Sequence, residues 1–506
     1  MPAKILSAAC LGLDALPVEV EADTGGGQLG SFAIVGLPDV AVQEAKERVR
    51  SAIKNTGLEF PKIKITVNLA PADVRKQGPS YDLPIAISIL SAVSKTSFTA
   101  ATDNTLFIGE LALNGDLRPI SGVLPIALAA RQWGVKQIFV PIANAREAKL
   151  AHGLKVYGAK NLADVLKHLV GKTLLLETEE APFEPTNQGS DVDMSEIQGQ
   201  SLVKRALEIA AAGGHNILMS GPPGSGKTLL ARAMTSILPN LLLEESLELT
   251  KIYSVAGRLD HGKSLITSRP FRSPHHTASG VSLVGGGTWP KPGEISLAHR
   301  GVLFLDEFPE FSRQTLENLR QPLEDGIIHV SRAASTMVFP AKFILVAAMN
   351  PCPCGFLNDP EKACMCSAGQ IMSYQKKVSG PILDRIDLHV EVPRLSFDEL
   401  NKNNQEEKSL KIKERVTNVR KRQYLRFKGS GCLTNAEMSS QIARQHCQLD
   451  EISATMMKQA AEVMHLSARS YYRVLKVART IADLDGSEKI GQKHIAEALQ
   501  YRPKTE

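Results

Sequence analysis

A glycine-rich segment near the middle of the chain has the residue types and the spacing that bind phosphate groups. It consists of Gly221, Pro222, Pro223, Gly224, Ser225, Gly226, Lys227 and Thr228. Glycines allow backbone N–H groups to point at phosphates, and the start of a following helix adds favourable partial positive charge. In this pattern the lysine reaches the β- and γ-phosphates, and the threonine hydroxyl binds Mg²⁺. The segment therefore predicts a site for ATP and Mg²⁺, with an ordinary glycine turn as the alternative.

The residues on either side of this segment favour the phosphate-binding interpretation. The apolar run 216–220 is typical of a strand, and Leu229–Met234 begins a helical pattern. A strand, a glycine-rich loop and a helix in this order form the context in which such a loop holds a nucleotide.

Two further strand-like runs end in polar side chains suited to hydrolysis. Val302–Leu305 is followed by Asp306 and Glu307, and Phe343–Ala348 is followed shortly by Asn350. We expect Asp306 to hold Mg²⁺ and Glu307 to polarise the attacking water. Asn350 would orient the same water from the adjacent strand. Taken alone, both patterns also fit solvated strand ends, so their meaning depends on the phosphate loop.

Four of the seven cysteines fall within fifteen positions, as two pairs with one intervening residue each: Cys352, Cys354, Cys364 and Cys366. Four thiolates suit a tetrahedral, structural Zn²⁺ site, although pairs separated by two to four residues are commoner. The alternatives are buried small hydrophobic residues or a redox pair. We expect zinc in an insertion over 352–366.

The elements that must position these residues predict an α/β chain of several domains. Residues 1–172 alternate strand and helix patterns, for example a strand over 63–69, a helix over 41–53 and a hairpin turn at Asn114-Gly115. An acidic, proline-containing stretch over 173–193 predicts a linker. Residues 194–395 continue the alternation, as a parallel α/β nucleotide domain requires, and 396–506 are helical in pattern.

Composition excludes some classes of protein. With 43% hydrophobic and 22% charged residues, the sequence is typical of a globular protein. No apolar run approaches the twenty or so residues of a membrane span, and the N-terminus shows no secretory signal. We therefore expect a cytoplasmic protein with no membrane partner. The net charge of +6 is too small to indicate a nucleic-acid partner by itself.

The phosphate loop, Asp306-Glu307 and Asn350 together resemble an AAA+ ATPase. Longer blocks resemble its magnesium-chelatase-like branch and, within it, the ComM/YifB family; they are Gly199-Gln200, Arg205–Asn216, Ser273–Thr277 and Pro292–His299. This resemblance covers nearly the whole chain and implies an AAA+ core followed by a helical lid.

The resemblance also implies roles for two arginines. The block Leu383–Asp387 matches the family's arginine-finger block, so Arg385 would act on the ATP of a neighbouring subunit. A finger supplied in trans requires a ring or filament, and the family implies a homo-hexamer. Arg469 matches the lid arginine that senses the γ-phosphate, with Arg473 as the second choice. Surface ion pairs are the alternative for either residue.

The N-terminal region resembles the Lon-protease-like fold, also described as ribosomal S5 domain 2-like. Gly78-Pro79-Ser80 matches the block around that family's nucleophilic serine, but Leu124 stands where the partner lysine belongs. A serine without a base to take its proton is not an activated nucleophile. We therefore expect a non-proteolytic domain that serves ring assembly or partner docking.

The resemblance implies a helicase that promotes branch migration during DNA recombination and natural transformation, in the competence pathway, on single-stranded or branched DNA. Trp289 would stack on a base, and Lys291 and Arg332 would contact phosphates from two hairpin-like segments. A basic run, Lys408–Lys428, fits a polyanion or an acidic partner, or simply a solvated helix face. The competing hypotheses are a chelatase-type motor that drives a protein partner and an ATP-dependent protease or unfoldase.

Overall fold

The computed structural model describes residues 3–25, 30–93, 102–180, 182–184, 192–260, 264–287, 290–332, 335–359, 361–395 and 406–503. The chain divides into two compact units. The first takes in the described residues of Met1–Glu184, Leu243–Ile266 and Ala333–Val338, and the second those of Pro185–Leu242, Thr267–Arg332 and Phe339–Glu506. Within the described ranges, no helix has the length and apolar content that crossing a membrane demands.

The strands of the described residues, in chain order, are β1 (Ala3–Leu11), β2 (Asp14–Gly25), β3 (Phe32–Val35), β4 (Lys64–Ala70), β5 (Thr105–Phe107), β6 (Glu110–Leu111), β7 (Leu117–Arg118), β8 (Gln137–Pro141), β9 (Lys155–Ala159), β10 (Ile217–Ser220), β11 (Phe271–Arg272), β12 (Gly285–Gly286), β13 (Lys291–Pro292), β14 (Val302–Leu305), β15 (Ile327–Arg332), β16 (Ser335–Pro340), β17 (Ile344–Met349) and β18 (Leu388–Glu391).

The α-helices of the same residues are α1 (Val40–Asn55), α2 (Asp82–Val93), α3 (Val123–Gln132), α4 (Ala145–Ala148), α5 (Leu162–Leu169), α6 (Ser201–Gly213), α7 (Lys227–Ile237), α8 (Leu243–Ala256), α9 (Gly280–Val284), α10 (Glu294–Leu297), α11 (Arg313–Glu317), α12 (Arg320–Asp325), α13 (Ala368–Gln375), α14 (Gly380–Leu383), α15 (Ser409–Arg426), α16 (Ser440–His446), α17 (Glu451–Val463), α18 (Ala468–Leu484) and α19 (Gln492–Gln500).

A mixed seven-stranded sheet forms the centre of the first unit, in the order β3-β4-β2-β1-β5-β8-β9. Strand β4 buries every second residue, because its sequence alternates apolar and polar side chains with the period of a strand. Helix α1 begins at Asp39, whose carboxylate accepts a hydrogen bond from the Val42 N–H at 2.8 Å. The strand predicted over 63–69 and the helix predicted over 41–53 are confirmed to within two residues. The predicted turn at Asn114-Gly115 joins β6 and β7, which pair antiparallel.

Helix α8 belongs to the first unit, although it lies within the sequence range predicted for the nucleotide domain. It packs against α3. The Ser254 hydroxyl donates to Glu147 Oε1 at 2.5 Å, and the Gly122 N–H donates to the Ser254 carbonyl at 3.2 Å. The first unit is therefore assembled from separate stretches of the chain.

A five-stranded sheet forms the centre of the second unit, in the order β11-β14-β17-β10-β18, with every neighbouring pair parallel. All residues of β14 are buried, as expected for a parallel strand covered on both faces. Helix α15 packs against α6 and α7, and α18 packs against α6, so the C-terminal helices complete this core. The predicted fold class, mixed α/β with a parallel nucleotide-type sheet and C-terminal helices, is confirmed.

The strand order has a direct consequence for the predicted site. Strands β14, β17 and β10 are consecutive neighbours in a parallel sheet, so their carboxyl ends lie at one edge. In open parallel sheets, ligands bind outside this edge. The residues that follow these three strands therefore lie close together.

Candidate functional site

The phosphate loop joins the end of β10 to the start of α7. Gly224 and Gly226 have φ angles of +77° and +87°, a region that residues with a side chain rarely adopt. A Cβ atom on Gly221 would lie 2.2 Å from the Val392 carbonyl oxygen. Glycine is thus required at three positions of the loop. Gly226 is the N-cap residue of α7 and has no side chain to accept a hydrogen bond from the first N–H groups of the helix.

Lys227 directs its ammonium group into the loop. Its Nζ donates to the carbonyl oxygens of Gly221 at 2.8 Å and Pro222 at 2.9 Å. The Asn350 side-chain oxygen accepts from the same group at 3.3 Å. Burial lowers the pKa of Lys227, while the charge of Asp306 acts in the opposite direction. Two predicted site residues, Lys227 and Asn350, are therefore in contact.

Thr228 and Asp306 form the second part of the site. The Thr228 hydroxyl donates to Asp306 Oδ2 at 3.0 Å, and the other carboxylate oxygen accepts the Glu307 N–H at 3.0 Å. Hydroxyl and carboxylate oxygens are the hard ligands that Mg²⁺ prefers. The pair that was predicted to hold Mg²⁺ therefore has suitable chemistry and proximity.

Glu307 has an unusual backbone and a histidine partner. Its φ of 51° and ψ of 46° are left-handed, which is uncommon for a residue with a side chain and is concentrated at functional sites. Its Oε2 lies 3.0 Å from Nδ1 of His276, and its side chain is 58% exposed. The sequence reasoning missed His276 as a site residue, although the adjacent histidines at 275 and 276 were a visible signal.

The two predicted arginines, Arg385 and Arg469, share one carboxylate. Arg385 forms an ion pair with Glu324 Oε2, and Arg469 contacts Glu324 Oε1 at 2.6 Å. Hydrogen bonds from Arg469 and Arg385 lower the pKa of Glu324 despite partial burial. Arg473, the second choice for the lid arginine, instead contacts the buried Asp387 at 3.0 Å. Sequence reasoning gave no indication of Glu324.

The four cysteines converge. Their sulfur atoms all lie within 4.8 Å of one another, with Cys352 3.4 Å from Cys354 and 3.7 Å from Cys364. Four sulfurs at about 2.3 Å from a tetrahedral Zn²⁺ would be about 3.8 Å apart, so the arrangement fits the ion. Backbone N–H groups of Phe356 and Met365 lower the pKa of the Cys354 thiol to about 6, whereas the pKa of Cys364 and Cys366, despite backbone hydrogen bonds that lower it, is raised by burial and the neighbouring thiols. Of these three, only Cys354 is therefore favoured as a thiolate by the protein alone.

The predicted DNA contacts are only partly described. Lys291 is exposed on β13, which pairs antiparallel with β12. Trp289 and the side chain of Arg332 lie outside the described residues. The basic run lies mainly on α15, and several of its cations have partners within the chain: Arg415 contacts Glu208 and Glu407, and Arg426 contacts Asp483. At least two cations of the run are therefore neutralised by carboxylates of the chain itself.

Leu124, which stands where the protease family has its lysine, is part of the hydrophobic core. Leu124 is fully buried, and its N–H donates to Glu147 Oε1 at 2.9 Å. The same carboxylate accepts the side-chain N–H of Asn144 at 3.0 Å. No basic side chain stands at this position to activate Ser80.

Family models match most of the chain. The model described as "Magnesium chelatase, subunit ChlI" matches residues 193–400, and "Magnesium chelatase, subunit ChlI C-terminal" matches 406–502. "Subunit ChlI of Mg-chelatase" matches residues 18–144.

Two similar proteins match over nearly their full length, and a third matches over a shorter stretch. The chain is 45% identical over 503 residues to the "Competence protein ComM" of Haemophilus influenzae, covering 98% of this chain and 97% of that protein. It is 44% identical over 495 residues to the "Uncharacterized protein YifB" of Escherichia coli, covering 98% and 96%. "Lon protease 2" of Bacillus subtilis is 31% identical over 139 residues, which are 27% of this chain and 24% of that protein.

Proposed function

The chain belongs to the ComM/YifB family of magnesium-chelatase-like AAA+ proteins, and we propose that it is an ATP-hydrolysing motor that translocates DNA. The observation that carries the ATPase part is the convergence at one sheet edge. Lys227 contacts Asn350, and Thr228 contacts Asp306. The Asp306 carboxylate also accepts a hydrogen bond from the Glu307 backbone N–H. These pairs join residues from three neighbouring strand ends.

In the proposed mechanism, the loop N–H groups and Lys227 bind the β- and γ-phosphates of ATP. Thr228 and Asp306 would hold Mg²⁺, which neutralises the charge that develops on the phosphates. Glu307 polarises the attacking water, and Asn350 orients it. His276 Nδ1 contacts one oxygen of the Glu307 carboxylate, and the second oxygen can accept a hydrogen bond from the attacking water.

Arg385 would act on the ATP of a neighbouring subunit, which makes the site complete only in a ring, and the family resemblance favours a homo-hexamer. Arg469 would contact the γ-phosphate from the helical lid. Their common partner Glu324 supports this assignment, because it places both arginines on one face of the second unit.

The DNA part rests on the family and on weaker residue evidence. One relative bears the name "Competence protein ComM", which favours a role in competence. We propose that the activity is branch migration in DNA recombination and natural transformation, with single-stranded or branched DNA as the partner. The exposed Lys291 on the β12–β13 hairpin offers a phosphate contact. We propose Trp289 and Arg332 as further contacts on sequence position alone.

The four cysteines would hold a structural Zn²⁺, since no open coordination position is implied by four thiolates. Zinc quantitation on the purified protein tests this, with Cys364→Ser as the comparison. About one zinc per chain, lost in the variant, supports the proposal. Metal-free protein with full nucleotide binding contradicts it.

The deciding experiment measures ATP hydrolysis without DNA, with single-stranded DNA and with forked DNA. We expect both DNA forms to raise turnover and to promote ATP-dependent oligomers. Lys291→Ala should reduce the stimulation while leaving basal hydrolysis unchanged, whereas Lys458→Ala, at an exposed lysine of α17, should not. If neither DNA form changes hydrolysis, binding or assembly, the helicase proposal fails.

The second candidate is a chelatase-type motor that drives a protein partner, which the matches to magnesium-chelatase family models favour. Such a motor would hydrolyse ATP with no response to DNA. A protease or unfoldase is disfavoured by Leu124. ATP-dependent casein cleavage that Ser80→Ala abolishes would reinstate it.

A further inference from the structure

Gly355 places the cysteine cluster directly against the phosphate loop. It follows Cys354, has a φ of +84°, and its N–H donates to the Cys352 carbonyl at 3.0 Å. A Cβ atom at this position would lie 2.5 Å from Cδ and 2.8 Å from Cγ of Pro223. Non-bonded carbon atoms do not approach each other so closely. The backbone of the cysteine turn and the ring of a phosphate-loop proline are thus in contact, with no room for a side chain between them.

The other end of the cysteine segment also meets the nucleotide site. Directly after Cys366, Ser367 caps α13 by accepting the Gln370 N–H. This helix carries the buried Tyr374, whose pKa is raised to about 12 by burial, while the nearby Asn350 backbone acts in the opposite direction. The Asn350 side chain in turn accepts from Lys227 at 3.3 Å. The segment therefore reaches the site at two separate points.

We propose that Gly355 is a positioning residue through which the cysteine segment sets the shape of the phosphate loop, so that metal binding and ATP binding favour each other. The proposal rests on the proposed ATP and zinc sites. A metal that fixes the four sulfurs also fixes the turn from Cys352 to Gly355, and this turn supports Pro223. Because coupling between two sites is reciprocal, ATP must strengthen metal binding by the same factor by which metal strengthens ATP binding.

The first test is Gly355→Ala in the full chain. The added methyl group must displace Pro223, so we expect the dissociation constant of a fluorescent ATP analogue to rise about fivefold or more. Zinc content should remain near that of the unaltered protein. Gly429→Ala is the matched control, because Gly429 has nearly the same φ of +85° but no atom within 4 Å of its Cβ position. Both substitutions place an alanine at nearly the same positive φ, and only the one at Gly355 brings the added methyl group against Pro223.

A double-mutant cycle isolates that contact. Pro223→Ala removes the Cγ and Cδ atoms that the methyl group added by Gly355→Ala would meet. The change in nucleotide affinity caused by Gly355→Ala should therefore be much smaller in the Pro223→Ala background than in the unaltered protein. Equal effects in both backgrounds contradict a direct contact.

The second test needs no substitution and so does not depend on folding of a variant. The zinc dissociation constant is measured by competition with a chelator, with and without a non-hydrolysable ATP analogue, and we expect it to be about fivefold lower with nucleotide. Two results overturn the coupling: normal nucleotide binding with an unchanged zinc dissociation constant, and normal nucleotide binding in protein from which the zinc has been removed. An unaltered protein that binds no nucleotide contradicts the ATP site itself, and a loss in Gly429→Ala equal to that in Gly355→Ala overturns the role of Gly355.

Discussion

A buried network of charged and polar side chains around Asp387 allows a quantitative prediction. Asp387 contacts Arg473 at 3.0 Å and His215 Nδ1 at 3.2 Å, and His215 Nε2 lies 2.8 Å from the Thr480 hydroxyl. The side chains of Arg473 and Asp387 are 13% and 10% exposed. Although burial opposes its ionisation, the charge of Arg473 and the hydrogen bond with His215 hold the pKa of Asp387 below its ordinary value. Asp387→Asn keeps the shape and removes the charge.

The expected loss follows from the burial of the pair. Removing one partner of a buried ion pair costs about 3–5 kcal/mol, because the remaining charge stays buried without compensation. Asparagine still offers an oxygen to one neighbour, so we expect the lower end, about 3 kcal/mol. At about 2–4 °C per kcal/mol for a large domain, the Tm should fall by about 6–12 °C.

Thermal and denaturant unfolding measure this loss, with Asp384→Asn as the matched control. Asp384 is exposed in the same segment, so its substitution should change stability by less than about 0.5 kcal/mol. The pKa of Asp387 is lower in the folded protein than its ordinary value of 3.8. The carboxylate therefore adds its full stabilisation at pH values above 3.8, and this stabilisation is lost as the pH falls through the lowered pKa. The two proteins should therefore differ fully from pH 5 to 8 and converge in acid. An unchanged Tm, or an equal loss in Asp384→Asn, refutes the reasoning.

Two further predictions concern the proposed catalytic role of Glu307 and the stability of the first unit. Glu307→Gln should bind ATP with near-normal affinity but lower turnover by about 100-fold or more, because the amide cannot accept a proton from water; normal turnover in a single-turnover assay contradicts this role. Arg48→Met should destabilise the first unit by about 3 kcal/mol at pH 8, because Arg48 contacts the fully buried Asp82 at 2.6 Å. Burial raises the pKa of Asp82 to about 6, so the loss, measured by denaturant unfolding, should be smaller at pH 5, where the carboxyl is protonated.

The geometry of the proposed nucleotide site could be predicted because local sequence determines most of it. A glycine at positive φ, a lysine at the start of a helix and acidic residues after an apolar strand each leave a pattern within a few positions. The parallel sheet then brings Asp306 and Asn350 to the loop, and the continuous apolar runs of β14 and β17 predict that sheet. Cysteine spacing predicted a cluster for the same reason, since all four residues lie in one short segment.

Contacts between distant segments could not be predicted in this way. His276 reaches Glu307 and Gly355 reaches Pro223 only because the fold brings separate loops together. The basic run shows the same limit. Its charge density fits a polyanion, an acidic partner or a solvated helix face, and a single sequence does not reveal that Arg415 and Arg426 contact the distant carboxylates of Glu208 and Asp483.

The shared partner of the two arginines shows what such long-range contacts add to the proposed cycle. The side chains of Glu324 and Arg469 are 47% and 38% exposed. Their ion pair is therefore worth at most about 1 kcal/mol. A phosphate offers more charge and more acceptor oxygens than one carboxylate, and arginine binds it in two-pronged geometry. Exchange of Glu324 for a phosphate is therefore favourable. Because two like charges around one carboxylate repel each other, release of one arginine strengthens the hold of Glu324 on the other, so we expect Arg385 and Arg469 to leave Glu324 one at a time.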